Sequence, residues 1–168
     1  LSFGLGVASE LKKSAKYDLY VGISAGSIIS LFCATNKEQE LLENLTQITL
    51  KDIFNISPFS EKGKITWFGI WRLITNKSSL GKNKRLRAKI KSILTEDYYN
   101  QIKESIPTII VGATNYNTMS IDYASSKCSN YEDFIDWVFS CCSIPMICEP
   151  MQLNGSWYFD GGVVDYVG

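Results

Sequence analysis

A chain of 168 residues, 45% hydrophobic, with 17 basic against 17 acidic residues, is long and apolar enough to bury a core and carries no net charge. That balance excludes a disordered chain and gives no global field that would draw it to nucleic acid. Histidine is missing altogether, so a Ser-His-Asp triad cannot be assembled from these residues.

Residues 1–13 read as a helix with Phe3, Val7 and Leu11 on one face, and Gly4 and Gly6 allow close packing on a sheet. A short strand pattern follows in Tyr17, Leu19 and Val21 and runs into Gly22-Ile23-Ser24-Ala25-Gly26-Ser27. Behind it Ile28, Ile29, Leu31, Phe32 and Ala34 make a mostly apolar helix. Gly-x-Ser-x-Gly between a strand and a helix is the pattern of a nucleophile elbow, where a sharp turn lifts a serine hydroxyl clear of its backbone. Gly22 and Gly26 are expected to remove side chains that would collide in so tight a turn. The helix start then favours negative charge beside Ser24.

A second helix is expected over 37–50, with Leu41, Leu42, Leu45 and Ile48, and a loop broken at Pro58 over 54–63. Residues 65–74 are dense in Trp67, Phe68, Ile70, Trp71 and Leu73. Leu86, Ile90, Ile93 and Leu94 then mark an amphipathic helix over 83–94. From Lys62 to Lys91 the chain has ten basic residues and no acid. A solvated helix face accounts for such a run, and tryptophans beside lysine and arginine also suit a contact with anionic headgroups.

Thr108-Ile109-Ile110-Val111-Gly112-Ala113-Thr114 is a β-branched run suited to a strand buried on both faces, and a parallel sheet is implied. Residues 133–142 form a helical pattern with Phe134, Val138, Cys141 and Cys142 on one face, stopped at Ser143-Ile144-Pro145. Met151-Gln152-Leu153 and Trp157-Tyr158-Phe159 flank Asn154-Gly155, a hairpin signal, and the second strand leads into Asp160-Gly161-Gly162. Asp-Gly alone is a common turn pair. With an elbow serine and no histidine, Asp160 becomes the candidate base for Ser24.

Five cysteines (Cys33, Cys128, Cys141, Cys142, Cys148) stand at no metal-ligand spacing, so reduced, buried thiols and a cytoplasmic setting are expected. Four Asn-x-Ser/Thr matches, at Asn44, Asn55, Asn76 and Asn154, leave secretion open. No apolar stretch is long enough to span a bilayer.

In its Gly6-Val7-Ala8-Ser9-Glu10-Leu11, Gly22 to Ser27, 80–94, Ala113-Thr114-Asn115, Ser143-Ile144-Pro145 and Asp160-Gly161-Gly162 segments, the chain resembles the patatin-like phospholipase family over nearly its whole length. The resemblance implies one α/β domain over 1–168, a mainly parallel sheet flanked by helices in three layers. It implies a serine–aspartate dyad of Ser24 as nucleophile and Asp160 as base, hydrolysing acyl esters of phospholipids or related lipids with no cofactor and no metal for bond cleavage. Peripheral membrane contact through Trp67, Trp71 and the basic helix goes with such a substrate. The family's Gly-Gly-Gly-x-Arg/Lys-Gly loop, which supplies oxyanion N–H groups, would stand just before Leu1, and the family usually continues beyond Tyr166-Val167-Gly168. The expectation is therefore a fragment lacking the first strand and that loop. Two alternatives stay open: a serine hydrolase or acyltransferase whose histidine lies elsewhere, and a non-catalytic module that binds lipid or protein.

Overall fold

The computed structural model describes residues 2–47, 49–60, 63–75, 79–104, 107–127 and 129–164. Leu1, Ile48, Lys62, Asn76, Lys77, Cys128 and the terminal Tyr166-Val167-Gly168 lie outside the described residues. The chain is α/β, a mixed sheet flanked by helices. Helices α1 (Ser2–Ser14), α2 (Ala25–Ala34), α3 (Glu38–Gln47), α4 (Leu50–Ile53), α5 (Trp67–Ile74), α6 (Lys84–Ile93), α7 (Glu96–Glu104) and α8 (Tyr131–Cys141) alternate with strands β1 (Leu19–Ile23), β2 (Thr108–Asn115), β3 (Ser120–Ser125), β4 (Met151–Leu153) and β5 (Ser156–Asp160).

Among the described strands β1–β2 is paired parallel, while β2–β3, β2–β5 and β4–β5 are antiparallel. The expectation of a mainly parallel sheet is thus corrected, and the connections explain why. A parallel pair needs a long crossover, which the stretch of α2 to α7 between β1 and β2 provides. Short turns join β2 to β3 and β4 to β5, while the long link through α8 carries the chain from β3 to β4, which do not pair with each other. Asn154 and Gly155, both at positive φ (49° and 83°), close the β4–β5 hairpin as the Asn-Gly signal requires.

Ile109 and Val111 of β2 and Ala124 of β3 are buried with Leu31 and Phe32 of α2, Ile90 of α6, Tyr99 and Ile102 of α7, and Phe134, Ile135 and Val138 of α8. Tyr99 anchors this core: its ring lies 5.5 Å from Phe134 and 5.8 Å from Tyr131. Asn130 caps α8 by accepting the Asp133 N–H at 2.9 Å. On α1 the packed side is the one bearing Leu5, and Gly4 sits against Ile29, while Phe3, Val7 and Leu11 are exposed. That reverses the face expected from sequence. Lys12, bonded to Glu38 and to the Cys33 carbonyl, fixes the rotation of α1.

Two of the five basic residues of α6, Arg87 and Lys91, are paired with acids of α8. Arg87 bonds Asp136 at 2.5 Å and Glu132 at 3.0 Å, and Lys91 bonds Glu132 at 2.6 Å, tying α6 to α8. These ion pairs hold the Glu132 carboxyl below its usual range, with Lys91 the larger cause.

Candidate active site

The site is built at one point on β2. Strand β3 occupies one side of β2 over residues 110–115, so β1 and β5 share the other side. They meet end to end there: Ile23, the last residue of β1, is opposite Gly112, and Asp160, the last of β5, is opposite Ala113. Each strand delivers its final residue to the same gap.

Ser24 follows immediately, with φ 53° and ψ −127°, a backbone conformation that is costly for any residue with a side chain. The turn closes so tightly that a Cβ on Gly22 would lie 2.5 Å from the Gly26 carbonyl oxygen and from the Ser27 Cα. Glycine is obligatory at 22 for that reason. The matching expectation for Gly26 is not met, since a Cβ there would point into open space. On the helix side, the Ser24 carbonyl accepts from the Ser27 N–H (3.0 Å) and the Ser27 hydroxyl (2.6 Å).

The Ser24 hydroxyl donates to Asp160 Oδ2 at 2.6 Å. The other carboxylate oxygen, Oδ1, accepts from the Gly162 N–H at 2.8 Å. The Asp160 backbone is held as firmly: its N–H donates to the Ser143 carbonyl (2.9 Å), and its carbonyl accepts from the Thr114 hydroxyl (3.0 Å). A Cβ on Gly161 would come within 2.5 Å of the Gly112 carbonyl oxygen and 2.9 Å of Ile23 Cγ2, so the second residue of Asp-Gly-Gly lets β5 close on β1. Asp160 is buried, 5% exposed. With one oxygen engaged by an amide and the other facing a hydroxyl, the carboxylate has a single position from which to take a proton.

Two thiols complete the surroundings. The Ser24 N–H donates to Cys141 Sγ at 2.9 Å, and the same sulfur lies 3.9 Å from the Gly22 carbonyl oxygen. The Cys142 thiol lies 3.5 Å from the Ser24 carbonyl oxygen. Burial pushes the Cys141 thiol up to about 11 and raises the Cys142 thiol well above its ordinary value, so both stay protonated at neutral pH. Cys33, Cys141, Cys142 and Cys148 are free thiols.

Sequence reasoning singled out Ser24 and Asp160, which the structure brings within a hydrogen bond, but missed what holds them. The role of Cys141 and Cys142 lay in their position at the end of the apolar face of α8, and that of Thr114 at the end of the β2 run. Nothing local in either stretch showed that it faces the elbow. Tyr116, Pro145, Met146, Cys148, Pro150, Trp157 and Phe159 line an apolar hollow of about 390 Å³, whose lining includes the neighbour of Asp160 in β5 but neither Asp160 nor Ser24. Among the described residues, no group of three or more histidine, cysteine, aspartate or glutamate side chains could hold a metal ion.

The family model for patatin-like phospholipases matches residues 2–167. The chain belongs to that family. Its members hydrolyse lipid esters, and the match covers the elbow, the Asp-Gly-Gly turn and everything between them in this patatin-like domain. A comparison with curated proteins finds no match.

Proposed function

We propose that this patatin-like domain is a lipid acyl hydrolase of phospholipase A type, with Ser24 as nucleophile and Asp160 as general base. The observation that carries the proposal is the 2.6 Å contact between the Ser24 hydroxyl and Asp160 Oδ2. In a chain without histidine, it gives the serine a proton acceptor at hydrogen-bond distance.

Ser24 Oγ attacks the ester carbonyl carbon as its proton passes to Asp160 Oδ2. The tetrahedral oxyanion forms near the start of α2, whose first-turn N–H groups favour negative charge. Collapse breaks the bond to the alcohol, which takes the proton from Asp160 and leaves as lysolipid, with the fatty acyl group esterified on Ser24. A water molecule then gives a proton to Asp160 as it attacks the acyl-enzyme, and collapse of the second tetrahedral intermediate returns that proton to Ser24 Oγ and releases the fatty acid. An aspartate is a weak base at neutral pH, so orientation carries much of the rate. The bonds from Gly162, Ser143 and Thr114 to Asp160 supply that orientation. The apolar hollow beside Phe159 is within the size range of ligand pockets and suits an acyl chain. Free thiols fit a cytoplasmic setting, and the substrate's place in a bilayer calls for a peripheral contact, for which Trp67, Trp71 and the basic helix are the candidates.

Reaction with a fluorophosphonate probe tests the nucleophile. Labelling at Ser24, lost in Ser24→Ala together with fatty-acid release from phosphatidylcholine vesicles, is the expected result. A protein that binds vesicles but neither labels nor hydrolyses would be a binding module. Activity that survives Asp160→Asn would point to a base elsewhere.

A further inference from the structure

Helix α5 is amphipathic the wrong way round for a helix that only packs on its own domain. Its inward face carries Gly69, which rests against Pro58, and Arg72, which is 5% exposed. The Arg72 guanidinium is satisfied there by the Ser79 carbonyl (2.9 Å), the Ser79 hydroxyl (3.3 Å) and Glu149 (3.3 Å). Its outward face carries Trp67, Ile70, Trp71 and Ile74, at i, i+3, i+4 and i+7, with Phe68 beside them. All five are exposed, Trp67 to 78% and Ile74 to 74%. A charged side chain is thus buried and bonded so that an apolar stripe can face out. The rotation is fixed by named contacts: Thr66 accepts the Gly69 N–H at 3.2 Å and donates to the Pro58 carbonyl at 3.3 Å, while Arg72 closes the other end.

We propose that this stripe is the surface through which the domain docks on an anionic lipid bilayer. The choice of lipid as occupant rests on the lipid-ester reading above and on two features of the helix itself. Indole rings are the side chains best suited to headgroup depth, and two of them stand on the stripe. The flanking charge is of one sign: Lys64 is exposed just before the helix, and the chain has no acid from residue 62 to residue 91. A second copy of the chain would bring the same cations against themselves, whereas anionic headgroups complement them. In the basic helix α6, Arg87 and Lys91 are turned to the acids of α8, while Lys84 and Arg85 are exposed. The docking element is α5.

Its anchorage leads toward the site. The segment after α5 bonds to the stretch following α8, with the Leu80 N–H to the Met146 carbonyl (2.6 Å) and the Gly81 N–H to the Ile147 carbonyl (3.1 Å). A few residues earlier in that stretch, the Ser143 carbonyl holds the Asp160 N–H. A bilayer bound on α5 is therefore linked by backbone hydrogen bonds to the strip whose Ser143 carbonyl holds the Asp160 N–H.

The test compares the full protein with Trp67→Ala/Trp71→Ala and with Ile74→Glu, the latter a single change at an exposed position. Vesicles are pure phosphatidylcholine or an equal mixture with phosphatidylglycerol. Co-sedimentation with the mixed vesicles should fall about tenfold or more in both variants. Hydrolysis of vesicle lipid should fall in step, while turnover of a soluble short-chain ester and fluorophosphonate labelling of Ser24 stay at the parent level. Undiminished sedimentation of a folded variant overturns the proposal, as does a dimer in the parent that Ile74→Glu splits into monomers. Loss of docking in the variants of a protein that never labels at Ser24 would uphold the docking surface and sink the hydrolase reading, so the two fail separately.

Discussion

Ile23 and Asp160 stand end to end along one side of β2, opposite the consecutive residues Gly112 and Ala113. Two strands running in opposite directions stop at the same point, so the residue after one and the last residue of the other are brought within a hydrogen bond. The contact between Ser24 and Asp160 at 2.6 Å follows from strand register before any side chain chooses a rotamer. Asp160→Asn keeps the size of the side chain and its bond from the Gly162 N–H but removes the proton acceptor. Ester turnover should fall by about 10²–10⁴-fold, the usual worth of a general base, with the circular-dichroism spectrum and unfolding midpoint close to the parent.

The three glycines around this junction should respond differently to alanine. At Gly22 and Gly161 the added methyl would meet backbone at 2.5 Å, so the elbow or the β1–β5 junction must open. Both variants are expected to lose roughly 1–3 kcal/mol or more of stability and most Ser24 labelling. At Gly26 the methyl enters open space inside α2, and alanine should be neutral or add about 0.5–1 kcal/mol by helix propensity. Urea unfolding of the three variants ranks them, and a Gly26→Ala protein as unstable as Gly22→Ala would contradict the geometry.

Met146 is exposed at the mouth of the apolar hollow beside Phe159. If that hollow receives the acyl chain, Met146→Trp should narrow it and lower turnover of long-chain esters by about tenfold, while acetate or butyrate esters are barely affected. A loss equal for all chain lengths would place the acyl chain elsewhere.

Much of this architecture was legible before any coordinates, and the parts that were not share a cause. The elbow, the Asn154-Gly155 hairpin and the strand from Thr108 are written in local pattern, because turn chemistry and β-branching act within a few residues. Strand β3 was missed although Ser120-Ile121-Asp122-Tyr123-Ala124-Ser125 alternates, since its polar positions resemble a loop. Helix α7 was missed because Tyr98, Tyr99 and Ile102 give only a short apolar face. The exposed face of α1 and the inward Arg72 of α5 could not be read from periodicity, which gives the spacing of a stripe and not the side it faces. The candidate pair was found through the order of its motifs. The bonds that immobilise it come from Ser143, Thr114 and Gly162, backbone and side-chain groups with no signature of their own.

Cys141 offers a direct measure of how much the elbow depends on support from α8. Its sulfur accepts the N–H of the strained Ser24 and lies near the Gly22 carbonyl. Cys141→Ser keeps an atom that can accept and donate at that point, whereas Cys141→Ala leaves the Ser24 N–H without it. Fluorophosphonate labelling should slow by roughly tenfold in the alanine variant, a loss of the size expected for one hydrogen bond, and recover largely in the serine variant. The deficit should appear in kcat with KM little changed, because the substrate's binding surface is untouched. Equal rates in all three proteins would show that the elbow holds its shape without the thiol.

The same buried thiols set how stability depends on pH. Burial pushes Cys33, Cys141 and Cys148 each up to about 11 from an ordinary value near 9.0, and at Cys33 the nearby Glu38 adds to the rise while Lys12 opposes it. Tyr98 is likewise raised by burial, to about 12. Between those values the folded chain keeps protons that the unfolded chain has released, so the native state binds more protons there and stability falls as pH rises. Below about pH 9 the contribution is fully present; through pH 11 it is lost, with an upper bound of roughly 2–3 kcal/mol per thiol. Urea midpoints should therefore be level from neutral pH to about 8.5 and decline steeply above it. Replacing Cys33 and Cys148 by alanine should flatten that decline even as it lowers the plateau. A decline of unchanged slope would mean that these thiols ionise as freely in the folded chain as in the unfolded one.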